Sequence, residues 1–199
     1  MVITDGVDPS WRGSSYVTIR GADHDEHDHH DGDPDQPGRR PRPRRTRSPH
    51  DAETADAVAS ALAPYLGADG LLTSEQREGD PARYRQHLLH VADDGAFSLV
   101  ALVWLPGQAT PVHDHVCWCV VGVHEGDEEE LRFRLDEGRL VTTERLVNAR
   151  GEVSVALPPG DIHLVRNSGD DLAVSLHVYG ADLSVSGTSI RQRYDVPVA

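Results

Sequence analysis

The amino-acid sequence predicts a mainly β fold, a small antiparallel barrel or jelly roll with a short helical cap on its N-terminal side. From Phe97 onward, short β-prone runs alternate with turn residues such as Glu137-Gly138 and Pro158-Pro159-Gly160. Helical spacing of apolar residues is confined to the segment before them. The candidate strands are Phe97–Trp104, Val112–Val123, Leu131–Leu135, Arg139–Val147, Val153–Leu157, His163–Arg166 and Leu172–Tyr179.

The helical cap is predicted from three local signals. Ala52–Leu66 carries apolar residues at helical spacing. Thr73 and Gln76 have the spacing of a capping box, which predicts a second short helix. Pro81 is suited to the first turn of a third helix, which would carry Gln86.

The first 50 residues differ in composition from the rest. Asp23–Asp35 is dense in acids and histidines, and Arg39–Arg47 alternates arginine with proline. Such segments bury too little apolar surface to offset the entropy of ordering. We therefore predict an unfolded tail over residues 1–50 and a single folded domain over residues 51–199.

Charge and cysteine content narrow the functional classes. The formal net charge is −14 and the pI is near 5.1, which argues against nucleic acid or an anionic membrane as partner. The sequence contains neither an apolar run of the roughly 18 residues that a spanning helix needs nor a secretory leader pattern. Cys117 and Cys119 lie too close in one predicted strand for an ordinary disulfide. We expect a cytoplasmic protein, and a monomer.

The candidate metal ligands are histidines in two separate strands. His113 and His115 flank Asp114, and residues i and i+2 of a strand point to the same face. His163 follows the Pro158-Pro159-Gly160 turn, from which antiparallel pairing can bring it beside that pair. We predict a metal centre formed by these three imidazoles.

These spacings resemble the two sequence motifs of the cupin superfamily, whose fold is the double-stranded β-helix. Most cupins have a glutamate ligand at the position of Cys119, so the resemblance implies a neutral site of three histidines. Such a site favours an anionic ligand such as a thiolate. The first motif comprises Gly107, His113, His115, Cys119 and Gly126, and the second Pro158, Gly160, His163 and Asn167.

Within the cupins, the segment from Tyr84 to Tyr179 resembles the cysteine dioxygenase (thiol dioxygenase) family. In that family a Ser-x-His-x-Tyr strand holds a tyrosine next to the iron. Here the matching residues are Ser175, His177 and Tyr179, which share one face of the strand by alternation. The resemblance implies that they form a hydrogen-bonded relay to the substrate.

The resemblance also implies a role for Cys119. Some members carry a cysteine at this position that is joined to the active-site tyrosine by a thioether. Alternation puts Cys117 and Cys119 on one face, and the family register selects Cys119 as the partner of Tyr179. The alternative is that Cys119 is a small buried hydrophobic residue.

The substrate depends on which side chain binds the carboxylate. In cysteine-selective members this is an arginine shortly after a tyrosine; alignment on Tyr84 puts Gln86 there, as in 3-mercaptopropionate dioxygenases. Those enzymes use a later arginine; Arg191 and Arg193 lie in the matching region, and we take Arg191 as the candidate. An alignment shifted by one residue would instead place Arg85 at that position. Both L-cysteine and 3-mercaptopropionate therefore remain open.

The resemblance thus implies an Fe(II)-dependent enzyme that adds both atoms of O2 to the sulfur of a small carboxylated thiol. Two alternatives remain. One is a metal cupin that oxygenates flavonols or diketones, although the polar face of the Ser175 strand argues against the large apolar pocket this would need. The other is a non-catalytic cupin that only binds metal, because one fold hosts many functions.

Overall fold

The computed structural model describes residues 49–198. The predicted unfolded tail falls almost entirely outside this range. Within it, no helix is long and apolar enough to cross a membrane.

A short helical segment precedes the strands. Helix α1 spans Pro49–Leu62 and continues into a 3-10 turn at Ala63–Tyr65; a second 3-10 turn lies at Glu75–Arg77. The strands are β1 Arg85–Val91, β2 Ser98–Trp104, β3 His113–His115, β4 Cys119–Glu125, β5 Glu128–Asp136, β6 Arg139–Asn148, β7 Val153–Ala156, β8 His163–Arg166, β9 Ala173–Tyr179 and β10 Ile190–Arg193, with helix α2 at Leu183–Ser186.

Within residues 49–198, the strands form two five-stranded sheets in which all neighbouring strands pair antiparallel. One sheet has the order β1-β2-β9-β4-β7, and the other β10-β3-β8-β5-β6. Consecutive strands repeatedly change sheet, as in a jelly roll. The predicted fold class is confirmed.

The main apolar core combines residues from both sheets. Leu102 and Trp104 of β2 cluster with Val121 of β4 and Val165 of β8. Because successive side chains of a strand point to opposite faces, every second residue of each strand points inward. The polar site described below therefore lies in a rigid, close-packed scaffold.

Helix α1 covers the outer face of the first sheet, where Ala55 clusters with Val120 and Val178. A Cβ at Gly122 would lie 2.8 Å from the Leu66 side chain. The absence of a side chain at Gly122 lets this segment approach β4 closely.

Two predictions about local structure were wrong. The segment from Val112 to Val123 is two strands in different sheets, β3 and β4. The helix expected after Pro81 does not form, because Arg85–Val91 is strand β1, paired with β2. Burial of β1 against its neighbour outweighs the weak local helix signal.

The predicted capping box is confirmed. The backbone N–H of Thr73 donates to Gln76 Oε1 at 2.9 Å, and the N–H of Gln76 donates to Thr73 Oγ1 at 3.2 Å. It begins the 3-10 turn Glu75–Arg77 rather than a longer helix.

Candidate metal centre and its cavity

Three histidines meet between the sheets. His113 and His115 lie on β3, and His163 begins β8 directly opposite His113 in the antiparallel pair. One ring nitrogen from each residue lies within 4.8 Å of the others. The Nε2 atoms of His113 and His115 are 3.2 Å apart, and the three residues are only 5%, 2% and 3% exposed. The sequence-predicted ligands are thus brought together in a buried cluster.

Each of these rings is oriented by an oxygen acceptor at its other nitrogen. His113 Nδ1 lies 2.9 Å from the carbonyl oxygen of Pro111, and His115 Nδ1 lies 2.9 Å from Asp161 Oδ2. His163 Nδ1 lies 2.9 Å from Glu130 Oε1. A carbonyl oxygen, or an oxygen of an ionised carboxylate, can accept a hydrogen bond but cannot donate one. Each Nδ1 therefore carries the proton, and each Nε2 lone pair faces the cluster.

His163 Nε2 tests whether a metal fits here. It is buried and has no hydrogen-bond partner among residues 49–198. A buried polar atom without a partner is costly, and a cation at the centre of the cluster would satisfy its lone pair. An all-imidazole donor set suits first-row ions such as Fe(II) and Zn(II), so the residues present fit a metal ion.

Electrostatics keep the ligands in the metal-binding form. Burial, followed by the neighbouring His163 and His115, lowers the pKa of His113 well below its usual value. Burial also lowers the pKa of His115. Burial alone would raise the pKa of Glu130, but hydrogen bonds from His163 and Arg132 lower it to about 2. Neutral imidazoles and an ionised carboxylate are the states that metal binding requires.

The histidines line a cavity of about 480 Å³. Its wall is mixed: Leu102 and Val165 are apolar, while Gln86 and Arg193 are polar. The lining is completed by Tyr84, Trp104, Thr110, His177, Tyr179, Ile190 and the segment 186–189. A cavity of this size suits a small molecule.

The relay predicted on β9 is a continuous hydrogen-bonded chain. Tyr179 Oη lies 3.1 Å from His177 Nδ1, and Ser175 Oγ lies 2.8 Å from His177 Nε2. The indole N–H of Trp104 donates to Ser175 Oγ at 3.1 Å. Burial, together with the neighbouring His115 and His163, lowers the pKa of His177 to about 3, so His177 is neutral at ordinary pH.

Cys119 lies directly opposite Tyr179 in the β4–β9 pair. Both residues are buried, and Cys119 Sγ is also 3.9 Å from His177 Nδ1. Burial, then the adjacent Cys117, raises the pKa of the Cys119 thiol well above its usual value. Neither thiol is part of a disulfide among the described residues.

The candidate carboxylate-binding side chains separate into two groups. Gln86 lines the cavity, whereas the Arg85 guanidinium points to Glu78 at 3.4 Å. Arg191 forms an ion pair with Asp114, on the face of β3 opposite the histidines. Arg193 lines the cavity, so the structure turns Arg193, rather than the sequence-favoured Arg191, toward the histidines.

A bulge in β10 explains why Arg193, and not Arg191, lines the cavity. Ile190 pairs with His115, but Gln192 pairs with Asp114, so one extra residue is inserted between these pairs. An extra residue shifts the side-chain alternation by one position. Strand alternation from Ile190 would turn Arg193 away from the cavity, and the bulge restores it to the cavity side.

Sequence reasoning missed the groups that orient the ligands. Glu130 and Asp161 were absent from the candidate list, because Glu128–Glu130 looks like part of a solvated acidic turn next to Asp127. All three glutamates are buried at the start of β5. The one signal available was alternation: extending the predicted strand back from Leu131 would have put Glu128 and Glu130 on the same face.

Two facing antiparallel sheets with a three-histidine cluster between them define a cupin with a candidate metal centre. The particular family follows from the sequence. The model of the family described as cysteine dioxygenase type I matches residues 52–188, and the chain belongs to this family. It is a thiol-dioxygenase-type cupin.

Three solved structures with a similar fold are described as cupins or as a protein with a double-stranded β-helix domain. A double-stranded β-helix protein from Klebsiella pneumoniae is 17% identical, with a TM-score of 0.45, over 58% of this chain and 92% of that one. An RmlC-like cupin from Desulfovibrio desulfuricans is 25% identical, with a TM-score of 0.43, over 58% and 97%. A cupin 2 barrel protein from Salinispora arenicola is 20% identical, with a TM-score of 0.43, over 60% and 95%.

Proposed function

We propose that this protein is an Fe(II)-dependent thiol dioxygenase that converts 3-mercaptopropionate to its sulfinate. The observation that carries the proposal is that one cavity is lined by the three histidines, by Tyr179 and by the pair Gln86 and Arg193. When bound, Fe(II) would supply the redox chemistry through which both atoms of O2 are added to the substrate sulfur. The residues of the chain would hold the iron, orient the substrate and supply a proton donor.

His113, His115 and His163 would hold the iron through their Nε2 atoms. Each imidazole is a neutral donor whose tautomer is fixed by an acceptor on Nδ1. A set of neutral ligands adds no negative charge to the site, which therefore favours an anionic thiolate over a neutral thiol.

Arg193 and Gln86 would bind the substrate carboxylate. A guanidinium and a carboxylate form strong charge-assisted hydrogen bonds, and the amide of Gln86 can donate a further one. No aspartate or glutamate is among the residues that line the cavity. The ammonium group of cysteine would therefore find no counter-charge in the wall, which supports 3-mercaptopropionate over L-cysteine.

Tyr179 would act as a hydrogen-bond donor to the bound substrate. Burial, and to a smaller extent Cys119, raise the pKa of Tyr179 well above its ordinary value, so the phenol keeps its proton. His177 and Ser175 hold the ring in place from behind. This is a positioned donor of the kind used in general acid–base catalysis.

A thioether between Cys119 and Tyr179 is part of the proposal. Its support is the direct cross-strand pairing of the two residues. Forming the bond removes the thiol hydrogen and one ring hydrogen, and O2 accepts both hydrogens and their two electrons to give H2O2. Peptide mass spectrometry after aerobic turnover should find the joined peptides lighter by two hydrogens, and Cys119→Ser should abolish that species.

Oxygen uptake by anaerobically Fe(II)-loaded protein tests the function. We expect rapid uptake and a sulfinate product with 3-mercaptopropionate, and much slower uptake with L-cysteine. Preference for L-cysteine would overturn the assigned substrate while keeping the reaction class. No uptake with either thiol at full iron occupancy would leave a non-catalytic metal-binding cupin.

The two arginines of β10 offer a matched pair for the substrate site. Arg193→Gln should raise KM for 3-mercaptopropionate by roughly 10- to 100-fold, because a hydrogen bond to a charged group contributes about 1.5–3 kcal/mol. Arg191→Gln should leave KM within a few-fold, since its guanidinium pairs with Asp114. The reverse ranking would assign the carboxylate to Arg191.

A further inference from the structure

Asp114 is a buried carboxyl on the face of β3 that points away from the three histidines. It is 1% exposed, and its Oδ2 atom accepts hydrogen bonds from the Arg191 guanidinium and from the Tyr194 hydroxyl, the latter at 2.9 Å. Its Oδ1 atom has no hydrogen-bond partner within residues 49–198. Arg191 lies in β10 and Tyr194 follows that strand directly. Because a buried carboxylate is costly unless it is paired, Asp114 depends on the position of this one segment.

Strand β10 has little backbone pairing to fix its position. It lies at the edge of its sheet among the described strands, and its neighbour β3 is three residues long. The four residues of β10 face these three because of the bulge between Ile190 and Gln192. At one end of the pair, the N–H of Tyr194 donates to the carbonyl oxygen of Val112 at 2.9 Å. With so few backbone pairs, a slip of one residue loses few hydrogen bonds, yet it turns every side chain of the strand to the other face.

The register of β10 decides where Arg193 lies. Arg193 is directly opposite His113, which is in turn directly opposite His163. Side chains that are directly opposite one another share a face and have Cβ atoms about 4.5–5.5 Å apart. This row therefore sets the separation between the proposed carboxylate-binding residue and two of the proposed metal ligands. A slip of one residue would turn Arg193 out of the cavity, and a slip of two would move it roughly 7 Å along β3.

The contacts of Asp114 make such a slip costly. Arg191 precedes Arg193 by two residues and Tyr194 follows it directly, so the two contacts lie on either side of Arg193. In any other register of β10 these two side chains would move away from Asp114 Oδ2, and the buried carboxylate would lose them as partners. Removing the partner of a buried charge is strongly destabilising, and the best-attested use of a buried ionic group is to specify register.

We propose that Asp114 is a specificity-positioning residue, which holds β10 in the register that sets the distance between the metal ligands and Arg193. The inference rests on the proposed function, in which the substrate sulfur binds the metal and the substrate carboxylate binds Arg193. A thiol must then match this distance with its own carbon chain. Asp114 thereby favours 3-mercaptopropionate over the shorter 2-mercaptoacetate and the longer 4-mercaptobutyrate, although it is not among the residues that line the cavity.

Amide hydrogen exchange of the full chain loaded with Zn(II) tests this role without any reaction. In the double variant Arg191→Gln/Tyr194→Phe, Asp114 loses both contacts, and peptides that cover β10 should exchange at least about tenfold faster than in the wild type. Peptides that cover β9 should be unchanged. The phenylalanine keeps a ring in the cluster with Phe133 and Ile162, so we expect the variant to fold. Wild-type protection of β10, or equally faster exchange of β9, would overturn the proposal.

The dependence of the reaction on chain length tests the functional consequence. For the Fe(II)-loaded double variant, KM for 3-mercaptopropionate should rise about tenfold, because β10 moves when the buried carboxylate is left without these partners. Iron content should stay normal. The preference for 3-mercaptopropionate over 4-mercaptobutyrate, as a ratio of kcat/KM values, should fall at least about fivefold. Each single variant retains one partner of Asp114, so its KM should stay within a few-fold. Gln192→Ala, at an exposed position of the same strand, is the control and should leave the preference unchanged.

The outcomes separate this role of Asp114 from the proposed function. A double variant with the wild-type KM and preference would overturn the role, and so would one that loses its iron, because Asp114 would then support the metal site itself. If the double variant does not fold, Asp114→Asn removes the charge and should also show faster exchange of β10 and a smaller preference. Faster exchange of β10 in the double variant, in protein whose wild type consumes no oxygen with any thiol, would keep the register role and overturn the dioxygenase proposal.

Discussion

Four buried histidines that line the cavity have different partners in the two sheets. In the sheet that contains β3 and β8, the Nδ1 atoms of His113, His115 and His163 face oxygens of Pro111, Asp161 and Glu130, each at 2.9 Å. In the other sheet, both ring nitrogens of His177 face hydroxyls, those of Ser175 and Tyr179.

Under the proposed function, this difference would give the same side chain two different roles. A carbonyl or an ionised carboxylate can only accept, so it fixes the tautomer and leaves one lone pair for a metal. A hydroxyl both donates and accepts, so His177 can hold its proton on either nitrogen. In the proposed function, the hydrogen-bond partners, rather than burial or residue type, would therefore distinguish a metal ligand from a proton carrier.

Removing one fixed ligand should have the largest effect. In His163→Ala the remaining imidazoles no longer enclose the metal position, and we expect loss of nearly all bound iron and of oxygen uptake. Metal analysis after anaerobic loading and desalting checks this. The exposed His90→Ala is the control. Normal iron content in His163→Ala would remove this residue from the ligand set.

Shortening the relay at the cavity should leave the metal in place. Tyr179→Phe keeps the ring but removes the hydroxyl, so kcat should fall by about 100-fold while iron content stays at the wild-type level. Steady-state oxygen uptake and metal analysis on the same preparation separate the two effects. Iron loss in this variant would contradict the division between ligand and relay.

Weakening the acceptor behind a ligand should reduce metal affinity without abolishing it. Glu130→Gln replaces the carboxylate that fixes His163, and outer partners of this kind contribute roughly 10- to 100-fold to affinity. Competition against a chelator measures the change. Glu144→Gln is the matched control, because Glu144 shares Arg132 with Glu130 but is exposed. Equal affinities would mean that the Glu130 hydrogen bond does not position the ligand.

The fully buried Glu128 should have a measurable effect on the pH dependence of stability. Because the folded-state pKa of Glu128 is raised from 4.5 to about 7, its contribution to stability declines as the pH rises through that window. The decline amounts to about 3 kcal/mol, at 1.36 kcal/mol per pKa unit. Urea unfolding at pH about 5 and about 8 should therefore differ less in Glu128→Gln than in the wild type. An identical difference would mean that Glu128 titrates normally in the folded protein.

Much of this site was predictable because its signals are local. Two histidines spaced by one residue share a face wherever a strand forms, and the same holds for Ser175, His177 and Tyr179. The turn before His163 and the capping box at Thr73 and Gln76 are also short-range patterns. Such features need no knowledge of the partner strand.

The features that the sequence did not predict depend on pairing between segments that are distant in the chain. The sequence predicted one strand from Val112 to Val123, but β3 and β4 join different sheets. It favoured Arg191, but the bulge opposite β3 turns Arg193 into the cavity. A bulge shifts the alternation of side chains by one residue, and no local sequence pattern predicts the position of this bulge.

The sequence by itself therefore determined the fold class, the three histidines and the order of the relay, because side-chain alternation within a strand is set by local backbone geometry. The tertiary structure alone decided which oxygens fix each ring, which arginine faces the cavity, and that Glu128 is fully buried. These features arise where strands far apart in sequence pair with each other, because the neighbouring groups there determine the hydrogen bonds and burial of each side chain.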